Sequence, residues 1–166
     1  MKVDYPGSIV SFKKVQPGTF FAHFAGGELG LAMKIHSAAS PSSIAVLSFT
    51  ECLHPTIPGP IVIDTTQFDN RDVLVLKDAT LRPRSDLKAL VDGSPPQNEK
   101  SSGSLILTEG SIHIRAFAQR FLWDINVTTG EAKNSHPGAM WIDDWEIVLP
   151  QPGVDIVICR RDKLDN

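Results

Sequence analysis

The chain has 166 residues, enough for one domain to bury roughly two-thirds of the surface its unfolded form exposes, so folding needs neither disulfides nor a metal. Hydrophobic residues make up 42% and charged residues 21%, near globular averages, which argues against disorder throughout and against a membrane protein. With 16 basic and 19 acidic residues the net charge is −3, so no bulk field draws in a polyanion and nucleic acid is disfavoured as a partner.

The first residues lack the apolar stretch of a signal peptide, and no run approaches the roughly 20 apolar residues that span a membrane, so the expected compartment is the cytoplasm. In that setting Cys52 and Cys159, both beside apolar runs, are expected to be reduced, buried thiols. Arg82-Pro83-Arg84 and Arg160-Arg161 are two-residue basic clusters of an ordinary soluble surface.

In chain order, the first third predicts a meander: a strand from Ile9 to Val15, a Pro17-Gly18 turn, a strand from Thr19 to Ala25, a Gly26-Gly27 turn, and a strand from Leu29 to His36. Phe20, Ala22 and Phe24 share one face of the second strand, and Leu29, Leu31, Met33 and Ile35 share one face of the third, so both are able to line a core. After a Ser/Ala/Pro loop, Ile44 to Thr50 is apolar on much of both faces. Pro55, Pro58 and Pro60 cannot donate ladder hydrogen bonds and make 53–60 irregular or an edge. Short strands follow at Ile61 to Ile63 and Val73 to Leu76.

From Ser85 to Gly93 the pattern fits a short helix capped by Ser85 and closed by Gly93, and it fits a strand as well. The stretch 93–104 has no substantial apolar side chain and predicts a solvated, mobile loop within a single domain spanning 1–166. A hairpin then joins 104–108 to 111–118 across Glu109-Gly110, with Ile112, Ile114, Ala116 and Ala118 on one face and His113, Arg115 and Phe117 on the other. In the next strand Phe121, Trp123, Ile125 and Val127 form the core face. One further strand is expected from Ala139 to Leu149, with a β-bulge at Asp143-Asp144 where the alternation changes parity. Val154, Ile156 and Ile158 mark the last strand.

About ten strands and at most one short helix exceed what one flat sheet in a small domain holds. The fold class is therefore all-β, an antiparallel two-sheet sandwich or a barrel-like meander.

No segment carries a motif specific enough to name a reaction. The most reactive local cluster is Glu51, Cys52 and His54, because an imidazole two residues from a thiol in an extended segment points to the same side and can hold a thiolate. The ordinary alternative is a buried Cys closing a strand and a His opening a proline loop. The five histidines, His23, His36, His54, His113 and His136, show no metal-ligand spacing, so neither a metal nor a cofactor is expected. Ile61 to Thr66 has the outline of an aspartic-protease strand but puts Thr66 where that chemistry needs Gly. Asp143, Asp144 and Glu146, with Asp124, form an acidic group able to bind Ca²⁺ or simply to be solvated.

A different signal comes from bulk on nominally polar faces. Phe21 beside His23, Phe117 beside Arg115 and His113, and Ile106 and Leu122 all want cover, from a subunit contact, a ligand or the protein's own loops. The expectation is a soluble binding or assembly module, more an interaction domain than an enzyme, that associates with itself. The alternatives are a small-molecule-binding barrel lined by Phe121, Trp123 and Trp145, and an enzyme centred on Cys52 and His54.

Overall fold

Alternating side chains do produce strands, and they are distributed over two sheets. The computed structural model describes residues 7–25, 27–37, 40–49, 59–84, 102–118, 121–133 and 140–161. Among these, fourteen strands occur: β1 (Gly7–Ser11), β2 (Phe20–Ala25), β3 (Glu28–Ser37), β4 (Ser40–Ser48), β5 (Ile61–Ile63), β6 (Asp72–Leu76), β7 (Thr80–Pro83), β8 (Leu105–Thr108), β9 (Ser111–Ala118), β10 (Phe121–Asn126), β11 (Ala132–Lys133), β12 (Met140–Ile142), β13 (Trp145–Gln151) and β14 (Val154–Arg161). Two short 3-10 turns, Phe12–Lys14 and Thr65–Gln67, complete the set.

The large sheet runs β1-β6-β2-β3-β4-β5-β9-β10-β11, with β8 also paired to β9 and β12 to β8; the small sheet runs β14-β13-β7. All pairs are antiparallel except a single parallel contact of β5 with β9 at Ile61 and Phe117. The large sheet curls until its far end meets its middle. The His36 N–H donates to Gly130 O at 2.8 Å and the Gly18 N–H to Lys34 O at 2.7 Å, so the β10–β11 turn and the turn before β2 together cap the edge of β3 that β2 leaves unpaired.

The main core lies between the sheets. Phe20, Met33, Leu47, Ile114 and Ile125 of the large sheet pack with Leu81, Trp145, Ile147 and Leu149 of the small one. A second apolar cluster covers the other face of the large sheet, where Phe21, Ala32, Val46, Ile63 and Val73 lie under Phe12 and Phe68 from the two 3-10 turns. The rings of Phe12, Phe21 and Phe68 sit 5.3–5.7 Å apart, two of the three pairs edge-on. This second layer explains why β4 is apolar on both faces: Val46 and Leu47 are both inaccessible to solvent, one in each core.

Four sequence expectations change. The first strand ends at Ser11, not Val15, because the chain turns at Phe12 to lay that ring and Val15 over the second core. The strand β7 was not expected; its four residues end in Pro83, which is tolerated because β7 is an edge strand. Residues 139–149 are not one bulged strand. β12 pairs with β8 in the large sheet and β13 with β14 and β7 in the small one, so the parity change at Asp143-Asp144 marks a change of sheet that keeps Ile142 and Trp145 in the same core. A bulge does occur, in β14, where Ile158 is the extra residue between Val157 and Cys159.

The end of the expected solvated loop is also different. Gly103 and Ser104 are buried, forming a strap between the sheets: Gly103 N–H donates to Arg115 O, Arg115 N–H to Ser104 O, and the Trp145 Nε1–H to Gly103 O at 2.6 Å. Residues 85–101, which include the helix-or-strand segment 85–93 and most of the stretch 93–104, lie outside the described residues.

Candidate functional site

Strand β9 presents Ser111, His113, Arg115 and Phe117 on the face turned away from the main core, by the same alternation that puts Ile112, Ile114 and Ala116 in it. Arg115 lies directly across from Asp124 of β10 and binds it with two parallel bonds, Nε to Oδ1 at 2.7 Å and Nη2 to Oδ2 at 2.9 Å. The Asp124 side chain is almost wholly buried. The face of the guanidinium stacks on Trp141, with Cζ 4.3 Å from the ring centroid. Trp141 is the cross-strand partner of Ile106, and His113 is its partner on the opposite side, which accounts for a fully buried isoleucine on this outer face. The sequence pointed to His113 and Arg115 as ligand or interface residues; the structure places both in side-chain contacts within the chain.

Ser111 Oγ lies 2.6 Å from Thr108 Oγ1 and 2.9 Å from His113 Nε2, a hydroxyl and imidazole at the distance of a nucleophile and its base. Thr108 and Ser111 are also the paired residues that open the β8–β9 hairpin, and Thr108 Oγ1 donates to Ser111 O at 3.3 Å. Fastening that hairpin accounts for the hydrogen-bond chain.

Phe21, His23 and Phe117 belong to the second core or its border. The His23 ring stands edge-on to Phe68 at 5.0 Å, and neither of its nitrogens has a hydrogen-bond partner. Burial, reinforced by the Arg71 charge, lowers its pKa below the usual imidazole value; the Phe24 backbone offsets part of this without reaching hydrogen-bond geometry. A neutral folded imidazole and a protonatable unfolded one mean that the unfolded state binds more protons, so stability falls as pH drops below about 6.5. His23→Leu is expected to be more stable than the wild type, by a margin that widens from pH 7.5 to pH 5 in urea titrations. A margin independent of pH would show that His23 does not titrate as this burial requires.

Lys34 is buried on the same face. Its ammonium donates to Phe12 O at 3.1 Å and to Lys13 O at 3.5 Å and lies 4.6 Å over the Phe12 ring, so it pins the 3-10 turn Phe12–Lys14 to the sheet. Desolvation lowers its pKa, with Asp69 offsetting part of the shift.

The acidic group does not converge. Asp124 binds Arg115, Asp144 accepts from Arg84 at 3.0 Å, Asp143 accepts from Ser104 Oγ at 2.6 Å, and Glu146 receives Arg82 and Arg160 on the outer face of the small sheet. Those hydrogen bonds, Arg82 first, hold the Glu146 carboxyl below its ordinary pKa against the opposing effect of burial. Among the described residues no three His, Cys, Asp or Glu side chains come together to hold a metal ion. Asp64 caps the 3-10 turn Thr65–Gln67 by accepting from the Thr66 N–H at 2.7 Å. Burial pushes the Cys159 thiol up, away from thiolate chemistry. Glu51, Cys52, His54 and His136 lie outside the described residues.

What the sequence did not separate from the core is an overhang of the large sheet's inner face. A paired row runs Ile9–Leu74–Ala22–Leu31 across β1, β6, β2 and β3, and Phe24 pairs with Leu29 two residues further along β2 and β3. Ala22 and Leu31 are covered, whereas Ile9, Phe24 and Leu29 are 66%, 70% and 61% exposed. The core stripe thus continues past its cover into solvent. Comparison with family models, curated proteins and solved structures finds no match for this chain. The signal for the overhang was the shared parity of Phe24 with Phe20 and of Leu29 with Met33, which gives the face but not where the opposing layer stops. Phe121 is likewise on the core face of β10 but 71% exposed at the strand's beginning, so it lines no interior; Trp145 is buried and Trp123 packs partly against the same core. Among the described residues no helix is long and apolar enough to cross a membrane.

Proposed function

We propose that this chain is a soluble, cytoplasmic β domain without catalytic activity, a binding or assembly module whose partner is a further copy of itself. The observation that carries this reading is the three large apolar side chains, Ile9, Phe24 and Leu29, that stand mostly in solvent on one sheet face. The polar groups that drew attention in the sequence support it from the other side: Arg115, Asp124, Asp143, Asp144 and Glu146 are engaged with one another's strands or with neighbouring arginines and hydroxyls. Apolar surface left outward on a regular sheet is a means of association, since burying it removes it from water.

Sedimentation velocity and native mass spectrometry across micromolar concentrations are expected to show a concentration-dependent oligomer. A monomer at every concentration would overturn the proposal.

A further inference from the structure

Resting on that reading, we infer that the overhang of β1, β6, β2 and β3 is the seat of a two-fold contact, with a second copy of this chain placed face to face on it. Ile9, Leu74, Phe24 and Leu29 share one face by register: Leu74 lies between Ile9 and Ala22, and the Phe24–Leu29 pair is the next on that face towards the hairpin end. Three side chains about two-thirds exposed present on the order of 400 Å² of apolar surface. A stable dimer needs about 800 Å² per partner, of which roughly 56–65% is apolar, so this strip is close to the apolar share of one dimer face.

The occupant follows from the shape and chemistry of the strip. A sheet face packs against another sheet face about 10 Å away, with side chains interdigitating, and a closed two-fold contact uses the same patch on both copies. The overhang is a continuation of a face that already packs in this way on the small sheet, through Ala22, Leu31 and Phe49. On β6 the exposed Asp72 follows the parity of Leu74, so one end of the strip is bordered by a charge on the same face.

The other exposed apolar residues do not form an equivalent surface. Val154, Ile156 and Val157 of β14 are 63%, 40% and 40% exposed, but only Val154 and Ile156, opposite Gln151 and Leu149, share a face, while Val157, opposite Val148, takes the other, so the patch is two side chains on an edge strand. That strand also carries the bulge at Ile158 and the Asp155 and Arg160 charges bound to Arg82 and Glu146, devices that blunt an edge. Phe121 and Met140 stand on strands that do not pair with each other.

The test is sedimentation equilibrium on the full chain as wild type, Phe24→Asp, Leu29→Asp and Val154→Asp, with far-UV circular dichroism confirming that each keeps its strand spectrum. The expected result is a wild-type dimer whose dissociation constant rises at least about tenfold in each overhang variant and stays within about twofold in Val154→Asp. Should Phe24→Asp lose its strand spectrum, Phe24→Ser takes its place with the same expectation. A dimer indifferent to Phe24 and Leu29, or weakened equally by Val154→Asp, overturns this surface while leaving self-assembly standing. A wild-type monomer at all concentrations overturns both, and open-ended assembly overturns the two-fold contact alone.

Discussion

Arg115→Ala is expected to cost about 3 kcal/mol of unfolding free energy, the low end of the loss seen when one partner of a buried ion pair is removed. The Asp124 side chain is 3% exposed and would be left buried with two of its hydrogen bonds gone. Arg115 itself is 17% exposed, and that partial solvent access is the reason for choosing the low end. The loss is compounded at Trp141, whose ring would no longer have the guanidinium against it, next to the buried Ile106. Arg115→Met combined with Asp124→Leu removes both charges while retaining bulk and is expected to recover most of the loss. Urea denaturation of Arg115→Met, Asp124→Leu and the double reads the coupling directly. If Arg115→Ala unfolds at the wild-type urea concentration, the pair has no part in holding β9 to β10.

Gly18→Ala is expected to destabilise by about 3 kcal/mol for two separable reasons. At φ +79° an L side chain costs roughly 1–2 kcal/mol, and a Cβ there would lie 2.1 Å from Thr128 O, a backbone atom that must move. Gly110 separates these contributions, since at φ +80° its Cβ would meet nothing within 4 Å. Gly110→Ala should therefore lose only the conformational part. Equal midpoint shifts for the two variants in thermal unfolding would mean that the turn before β2 and the β10–β11 turn are not closely apposed.

Strand identity was legible in this sequence wherever alternation ran for five or more residues between glycine turns, as in β2, β3, β9 and β10. It was not legible where a strand is four residues long and ends in proline, as Thr80–Pro83 does. Local parity also cannot distinguish a bulge from a change of sheet. Both restore an apolar face to the core after Asp143-Asp144, and only the pairing partners, β8 on one side and β14 and β7 on the other, tell them apart. Phe12 read as the continuation of a strand because its role depends on Phe21 and Phe68, nine and 56 residues away in sequence.

The candidate residues divide along the same line. Phe21, His23, His113, Arg115 and Phe117 were singled out because bulk on a polar face demands cover, and within the chain Phe12 and Phe68 meet the first two, Ser111 meets His113, Trp141 and Asp124 meet Arg115, and the second core meets Phe117. The overhang depends on where the small sheet ends, a matter of three-dimensional extent that spacing along a strand does not encode.

The hydrogen bond from His36 to Gly130 has a consequence during synthesis. At about 5–20 residues per second, roughly 5–20 seconds separate the arrival of the two residues, and β3 spends that interval with part of its edge uncapped. β1 must likewise wait for β6, which follows it by some sixty positions, and pairings this distant are the slow kind. The chain segment that ends that exposure of the β3 edge is the turn carrying Gly130.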